Sequence, residues 1–555
     1  MAAENRISSL IVVDLSYNRI SNITTNAFKY LSNLMELYLN YNNIIYIEDN
    51  EFGSLNSLVS LNLKNNKLVS INMTLVNLKL LQDLDLSFNY IKSISDYELN
   101  RLTALERLNM SNNLIETLES NCFNQAFNLL SGLFSNHMYL KTLDLSMNNI
   151  VSIEPFSFPA KLLRFLDLNN FNITKIEKQA FINLPVLVRL NVSHNQIEDI
   201  DPDNFKTTAN MINLDISYNQ LSKFELNISS LGGTKALYLN NNKLKVVPSA
   251  NLTEIIYLDI SNNEIDNISF PIFRTFHSLR VLHLSHNSLN SFNNPYTNTL
   301  KELSDLSLSH NQIYSLNISY FNNLTSLDIS HNCISTINST FLQNLDLLQS
   351  LDISNNNITS ILPGTFQKLK VLKLLNVSSN SLKNLRFGTF RGLHAVEVLD
   401  LSRNAITEID VHVFHECIAL KLSIGGNPIE CKEIVRSIRN LIDSNMQKAS
   451  DNIRIVQVTS VDKIYHEDNV HGIKCGDADY TNSTTKVQEA ESQSNISGLS
   501  VFVGILVTLL VGALMVLGAY LIYKLKSGNM HSESRLQMRH SMDTSISDFQ
   551  GNLLN

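Results

Sequence analysis

The octapeptide LDISNNNI, residues 351–358, sets Leu351, Ile353 and Ile358 around Asn356. The same wording, Leu-x-Leu-x-x-Asn-x-Ile/Leu, returns as LNLKNNKL about Asn66, LDLSFNYI about Asn89 and LNVSHNQI about Asn195. It returns again as LDISYNQL about Asn219, LHLSHNSL about Asn287 and LDLSRNAI about Asn404. The marked position is held in turn by Asn18, Asn42, Asn66, Asn89, Asn113, Asn148, Phe171, Asn195, Asn219, Asn242, Asn263, Asn287, Asn311, Asn332, Asn356, Asn380, Asn404 and Asn427. That is eighteen units, most of them 23 or 24 residues apart, a period that marks a solenoid. Each unit is expected to add one short strand to a parallel sheet, its alternate Leu and Ile stacking inward on those of the next unit. The Asn follows where the chain turns in, and its amide can donate to and accept from backbone groups that the turn would bury unpaired.

The repeat organises the composition. Of 555 residues 73 are Asn, there is no Trp, and 43 basic residues face 51 acidic ones for a formal charge of −8. Without basic blocks, nucleic acid is not the expected partner. The 44% hydrophobic content excludes general disorder. Phe28, Phe52, Phe181, Phe205, Phe366, Phe390 and Phe414, mostly in Phe-x-x-Leu-x-x-Leu, fall on the return side of their units and are expected to fill the wider convex layer.

These units resemble the typical class of extracellular leucine-rich repeats, as in Toll-like receptor ectodomains, chaoptin-like adhesion proteins and neuronal leucine-rich-repeat receptors. The resemblance covers residues 1 to 476 and implies an α/β solenoid, a horseshoe with a parallel concave sheet. It implies a solenoid over 1–427 and a cysteine-flanked C-terminal cap over 428–476. The cap opens at GNPIEC and closes at GIKCGD, implying a Cys431–Cys475 disulfide; Ile429 and Glu433 stand where the family pattern has Trp and a second Cys.

Three units depart from the period. From Asn113 to Asn148 is 35 residues, so Glu119 to Tyr139, with Cys122, is expected to bulge as a loop. Asn242 to Asn263 and Asn311 to Asn332 are 21 residues each, which trims the convex side. At Phe171, either Asn170 takes over the ladder or one rung is unsatisfied.

The N-terminal sequence MAAENRISSLIVVDLSYN enters a repeat at once, with no charged region leading into an apolar core. The start is either uncapped or preceded by a signal peptide and cap upstream of Met1, and we expect the latter. Residues 477–498 form a polar stalk. Residues 499–523, LSVFVGILVTLLVGALMVLGAYLIY, are 25 uncharged positions, enough for a transmembrane helix. Lys524, Lys526, Arg535 and Arg539 follow, so the positive-inside tendency makes 524–555 a short cytoplasmic tail and puts the repeats outside, a type I protein at the plasma membrane. The tail is too short for a Toll/interleukin-receptor domain. Gly504, Thr508 and Gly512 make a small-residue stripe compatible with a dimer.

Sequons for N-glycosylation stand at Asn22, Asn72, Asn109, Asn172, Asn191, Asn227, Asn251, Asn267, Asn317, Asn323, Asn338, Asn357, Asn376, Asn482 and Asn495, near the number chance gives in so Asn-rich a chain. Asn109, Asn191 and Asn376 fall between two inward residues and face the concave side. The same position holds Asp14, Asp85, Asp144, Asp167, Asp215, Asp259, Asp328, Asp352 and Asp400. These would make an acidic strip attractive to a basic partner, or they are simply the commonest repeat wording. His286, His310 and His331 precede the ladder Asn in successive units, with His283 nearby, and could form a column that protonates near pH 6. The candidate ligand surface is therefore Asp215, Asp259, His283, His286, His310, Asp328, His331 and Asp352.

No metalloprotease, phosphate-loop, nucleophile-elbow or Cys-x-x-Cys motif is present, and no metal or other cofactor is expected. The expectation is a non-enzymatic, single-pass cell-surface protein that binds a protein ligand or another cell-surface protein, in adhesion or recognition. A co-receptor or decoy in Toll-like signalling, and an intracellular scaffold, are the alternatives.

Overall fold

The computed structural model describes residues 9–429 with short gaps, the longest at 119–138, and beyond them only the strand residues 457–458, 469–470 and 473–474. All lie in the first of two compact units, Met1–Asp477; the second, Ala478–Asn555, lies outside the described residues. The long bulge, the Cys431–Cys475 pair, the stalk, the membrane span and the tail therefore fall outside them.

Each repeat contributes a strand of three residues, and nineteen strands join in one parallel sheet. Eighteen carry the repeat wording, from Val12–Asp14 to Lys421–Ser423, and Gln457–Val458 pairs beyond the last of them. Neighbours pair in strict register, as in Ser326 with Ser350, Leu327 with Leu351 and Asp328 with Asp352. From the second strand on, the central Leu and the apolar residue after the strand point inward and are buried, Leu351 at 1% and Ile353 at 0% exposure, while Val13 and Leu15 of the first are partly buried. A single column of stacked aliphatic side chains is the core.

The asparagine ladder closes one side of this core. The Asn219 amide donates to Val192 O at 3.0 Å and Ile216 O at 3.1 Å, while its Oδ1 accepts the Ile197 N–H at 3.0 Å. The same triad recurs from Asn42 to Asn427. Irregular spacing does not break it. Across the 35-residue unit Asn148 still reaches Met110 O at 3.0 Å and accepts from Ile115, and in the 21-residue units Asn263 and Asn332 accept at 2.9 Å. Length changes are absorbed in the return segment.

At Phe171 the sequence left two outcomes open, and the structure shows the unsatisfied rung. Phe171 is buried, whereas Asn170 is exposed and donates to Asn169 Oδ1 at 2.7 Å. Among the described hydrogen bonds, none serves the Ile150 N–H. An Asn one position early cannot substitute, because that residue turns outward with φ +54°. The same left-handed backbone precedes the ladder position in unit after unit, at φ +52° to +57°. Asn and His tolerate this region better than most residues, which accounts for Asn65, Asn112, Asn241, His194, His286 and His331 there.

The α/β expectation needs correction on the return side. The connections that can be described are mostly turns, with short 3-10 helices at Pro202–Phe205, Phe270–Thr275 and Val411–Phe414, short parallel strand pairs such as Ser291–Asn293 with Ser315–Asn317, and a single α-helical residue, Leu99. With a 24-residue period little chain remains for an α-helix after strand and turns. The predicted phenylalanines do fill this layer: Phe366, Phe390 and Phe414 stack in sequence, with centroids 6.2 and 5.5 Å apart, and Phe158 joins Phe181 at 6.0 Å.

Candidate functional site

The first and third residues of each strand face outward, giving two solvent-facing rows along the sheet. The nine aspartates occupy the third position, and most of them have a structural duty that the sequence did not reveal. Asp328 Oδ1 accepts the Ser330 N–H at 3.0 Å and its hydroxyl at 2.7 Å; Asp215 and Asp259 hold Ser217 and Ser261 in the same way. Asp352 likewise accepts from the Ser354 N–H at 2.9 Å. The carboxylate thus fixes the start of the turn, an Asx-type motif that explains the Asp-x-Ser wording. The amide oxygens of Asn109, Asn191 and Asn376 do the same at 3.0–3.1 Å.

Between Asn213 and Asp400 the two outward rows carry six aspartates (Asp215, Asp259, Asp305, Asp328, Asp352 and Asp400) and neither Lys nor Arg. Lys235, Arg280 and Lys373 stand one residue before their strands, on the flank. The N-terminal half differs. There Arg107 pairs with Asp83, and Lys141 meets Glu106 at 2.9 Å.

At the centre of the acidic stretch is a cluster that sequence reasoning found only in part. Tyr238 and Tyr257 pack with ring centroids 5.0 Å apart, and Tyr257 meets His283 edge-on at 5.5 Å. His283 stands between two carboxylates, Nδ1 at 3.8 Å from Asp259 and Nε2 at 3.9 Å from Asp305. Burial works against the imidazolium, but the hydrogen-bonding and charge of Asp259, with Asp305 and Asp328 behind it, raise the His283 pKa above its usual value. Burial raises Asp305, and Asp328 adds repulsion; Asp352 is raised by burial and again by Asp328. Burial beside carboxylates also keeps the Tyr257 phenol protonated far above neutral pH. Tyr238, Tyr257 and Asp305 were absent from the sequence-based ligand surface. The available signal was Tyr238 in the place of the Asp of the Asp-x-Ser wording, with Tyr257 and Asp305 at the outward first strand position beside it.

The histidine column forms as the spacing implied, with His286 and His310 stacked at 4.1 Å and His310 and His331 at 3.9 Å. It does not protonate as a unit near pH 6. Burial and the two neighbouring rings hold His310 down to about 4, and burial with His331 lowers His286. The column lies at the left-handed turn, next to the acidic rows.

Of the sequon asparagines, Asn22, Asn172, Asn267, Asn317, Asn323, Asn338 and Asn357 are exposed, and Asn109 and Asn376 are half-buried. Asn191 is only 7% exposed, and its amide lies 3.3 Å from Asp167. Asn72, Asn227, Asn251, Asn482 and Asn495 fall outside the described residues. Cys333 is exposed, whereas Cys417 is buried, which with Glu416 pushes its thiol up to about 12; Cys122 lies outside the described residues.

Models described as leucine-rich repeat match residues 8–68, 139–197, 185–244, 253–313, 322–382 and 370–429, and a two-copy model matches 79–122. Over 144 residues the chain is 32% identical to lumican of Mus musculus, covering 25% of this chain and 40% of that one. Over 151 residues it is 32% identical to Toll-like receptor 2 of Homo sapiens, covering 26% and 18%. The chain spans between 13% and 40% of the length of the curated relatives it matches first. Among solved structures, the leucine-rich-repeat protein LIC12759 of Leptospira interrogans superposes with TM-score 0.58 at 24% identity, over 82% of this chain and 97% of that one. Toll-like receptor 13, in its complex with single-stranded RNA, gives 0.58 at 21% identity, over 81% and 82%. Both likenesses concern the fold. Sharing repeats with receptors and with extracellular-matrix proteins, and matched along most of residues 8–429, the chain belongs to the leucine-rich-repeat family.

Proposed function

We propose that this chain is a single-pass, type I protein of the plasma membrane whose outward sheet face binds a protein ligand or another cell-surface protein, in adhesion or recognition. The observation that carries the reading is the acidic, aromatic stretch of the sheet between Asn213 and Asp400, where two unbroken rows of side chains face solvent on a rigid parallel scaffold. Such a face offers a broad contact surface, and its carboxylates disfavour a phosphate backbone. The uncharged run at 499–523 supports the membrane anchor.

Two measurements test it. The endogenous protein should lose mass on glycosidase treatment and be labelled from outside intact cells; an unchanged mass with no surface labelling returns the intracellular scaffold. A glycan wedge tests the face. Asp328→Asn creates Asn-Ile-Ser at 328–330 on the outward row, whereas Asp328→Asn with Ser330→Ala does not. Loss of partner binding in the first variant alone supports the reading, and equal binding by both refutes it. The local identity to Toll-like receptor 2 favours a second reading, a co-receptor or decoy in Toll-like signalling. Clustering of expressing cells supports adhesion, and ligand-dependent association with a receptor bearing a Toll/interleukin-receptor domain supports the second.

A further inference from the structure

We propose that the outward face around Tyr238, Tyr257, His283 and Asp305 seats a basic segment of the partner, with a Lys or Arg side chain laid against the Tyr257 ring and its charge among Asp259, Asp305 and Asp328. This rests on the reading of the sheet face as a protein-binding surface and names the chemistry of what it binds.

Charge complementarity is the first support. Six carboxylates on two adjoining rows, with no Lys or Arg on those rows from Asn213 to Asp400, leave a surface whose negative charge is offset from within its own rows by His283 alone. Elsewhere on the same rows the fold neutralises such a charge itself, as Arg107 does for Asp83. The internal cation nearest the centre is His283, which is charged only when protonated and is one imidazole among Asp259, Asp305 and Asp328, so the carboxylates about it outnumber it and an incoming cation can offset the remainder.

The tyrosine pair is an independent second support. Tyr238, at the third strand position that most units fill with Asp, Asn or Ser, and Tyr257, at the first position of the next strand, present half-buried rings held by one another and by His283. Electron-rich faces beside carboxylates suit a guanidinium or ammonium group with an aliphatic stem, by cation–π attraction and by apolar contact. Asp305 completes the argument. It is the one aspartate of the six at the first strand position rather than the third, so it is not part of the Asp-x-Ser turn motif and serves the surface. The Tyr257 hydroxyl lies 3.4 Å from His283 Nδ1, a long contact beside the edge-on packing of the two rings.

The test uses the purified full chain and a fluorescein-labelled peptide of alternating Arg and Gly, with its Lys and Glu counterparts, read by fluorescence anisotropy. Asp305→Gln is chosen because Asp305→Asn would create a sequon with Ser307. We expect Asp305→Gln and Tyr257→Leu each to weaken binding of the Arg peptide about tenfold, with Tyr257→Phe retaining it. The Glu peptide should not bind. Glu264→Gln removes an exposed charge away from the outward rows and controls for diffuse attraction. If Glu264→Gln weakens binding as much as Asp305→Gln, or if Tyr257→Leu binds like the parent, the proposal is overturned. The two readings fail separately. A native partner that is blocked by the glycan wedge but bound normally by both patch variants leaves the protein-binding face standing and removes the basic segment.

Discussion

Removing one rung of the asparagine ladder should have a cost that can be worked out bond by bond. In Asn219→Ala the carbonyls do not lose everything. Val192 O keeps its bond from Asn195, Ile216 O keeps that from Asn242, and Ser217 O keeps the His194 N–H. The Ile197 N–H is different, because Asn219 Oδ1 at 3.0 Å is its acceptor and Ile197 is fully buried. An orphaned buried donor costs about 1–3 kcal/mol, and the thinner bonding of the carbonyls about another 1 kcal/mol, so the expected loss is about 2–4 kcal/mol. In a repeat protein this loss is local, and hydrogen exchange resolves it. At about 1.4 kcal/mol per tenfold, Ile197 should exchange on the order of 30 to 1,000 times faster in Asn219→Ala. Asn149→Ala, at an exposed position beside a rung, should leave it unchanged. The parent chain contains its own control. Ile150, facing Phe171, should exchange faster than Ile197 without any substitution. Ile197 protection that survives Asn219→Ala would refute the view that the amide column satisfies the buried turns.

Gly392→Ala should destabilise by about 1–3 kcal/mol in urea unfolding. Gly392 has φ +98°, and an added Cβ would lie 2.7 Å from Gln367 Cα and 2.8 Å from its carbonyl oxygen, both backbone atoms that cannot move aside. Phe390→Ala removes the middle ring of the Phe366–Phe390–Phe414 stack and should cost about 3–5 kcal/mol, with accelerated exchange confined to adjoining units. Histidine-ring NMR should find His310 titrating near 4 and His283 above its ordinary 6.5. The signs are opposite: His283 adds stability below its unfolded value that is lost as pH rises through its folded one, whereas His310 costs stability as pH falls from 6.5 toward 4. Equal titration of the two rings would overturn that assignment.

The sheet, the ladder and the phenylalanine spine were legible in the sequence because each is a residue repeated at a fixed interval for a reason internal to one turn. Leu351 is inward because strand residues alternate, and Asn356 is needed because the turn buries backbone. The failures came where one letter serves two causes. The Asn excess mixed ladder asparagines with residues such as Asn65 and Asn241, which are there because the backbone is left-handed. The histidines of the column meet the same demand, so their spacing could not say how they titrate; that depended on burial and then on ring-to-ring distances near 4 Å, which crowd a charge on His310. The form of the return side was not legible, because turns, 3-10 helices and short strand pairs such as Ser291–Asn293 with Ser315–Asn317 all close a unit of this length.

The acidic strip is the instructive case, because both readings of it hold for different atoms. Asp328 uses Oδ1 to fix Ser330, so its presence in the wording says nothing about a ligand; its charge still faces solvent with those of its neighbours. Selection for the turn motif therefore creates an acidic surface as a by-product, and a specific site has to be sought where the wording is broken. Tyr238 and His283 are such breaks, Tyr257 and Asp305 join them from the first-position row that the motif does not use, the four fall on consecutive strands, and none of them holds a turn serine. In a solenoid whose structural positions repeat, residues free of structural duty that gather on adjoining turns mark the surface on which this chain differs from a generic member of its family, and it is there that substitution should change binding while leaving stability alone.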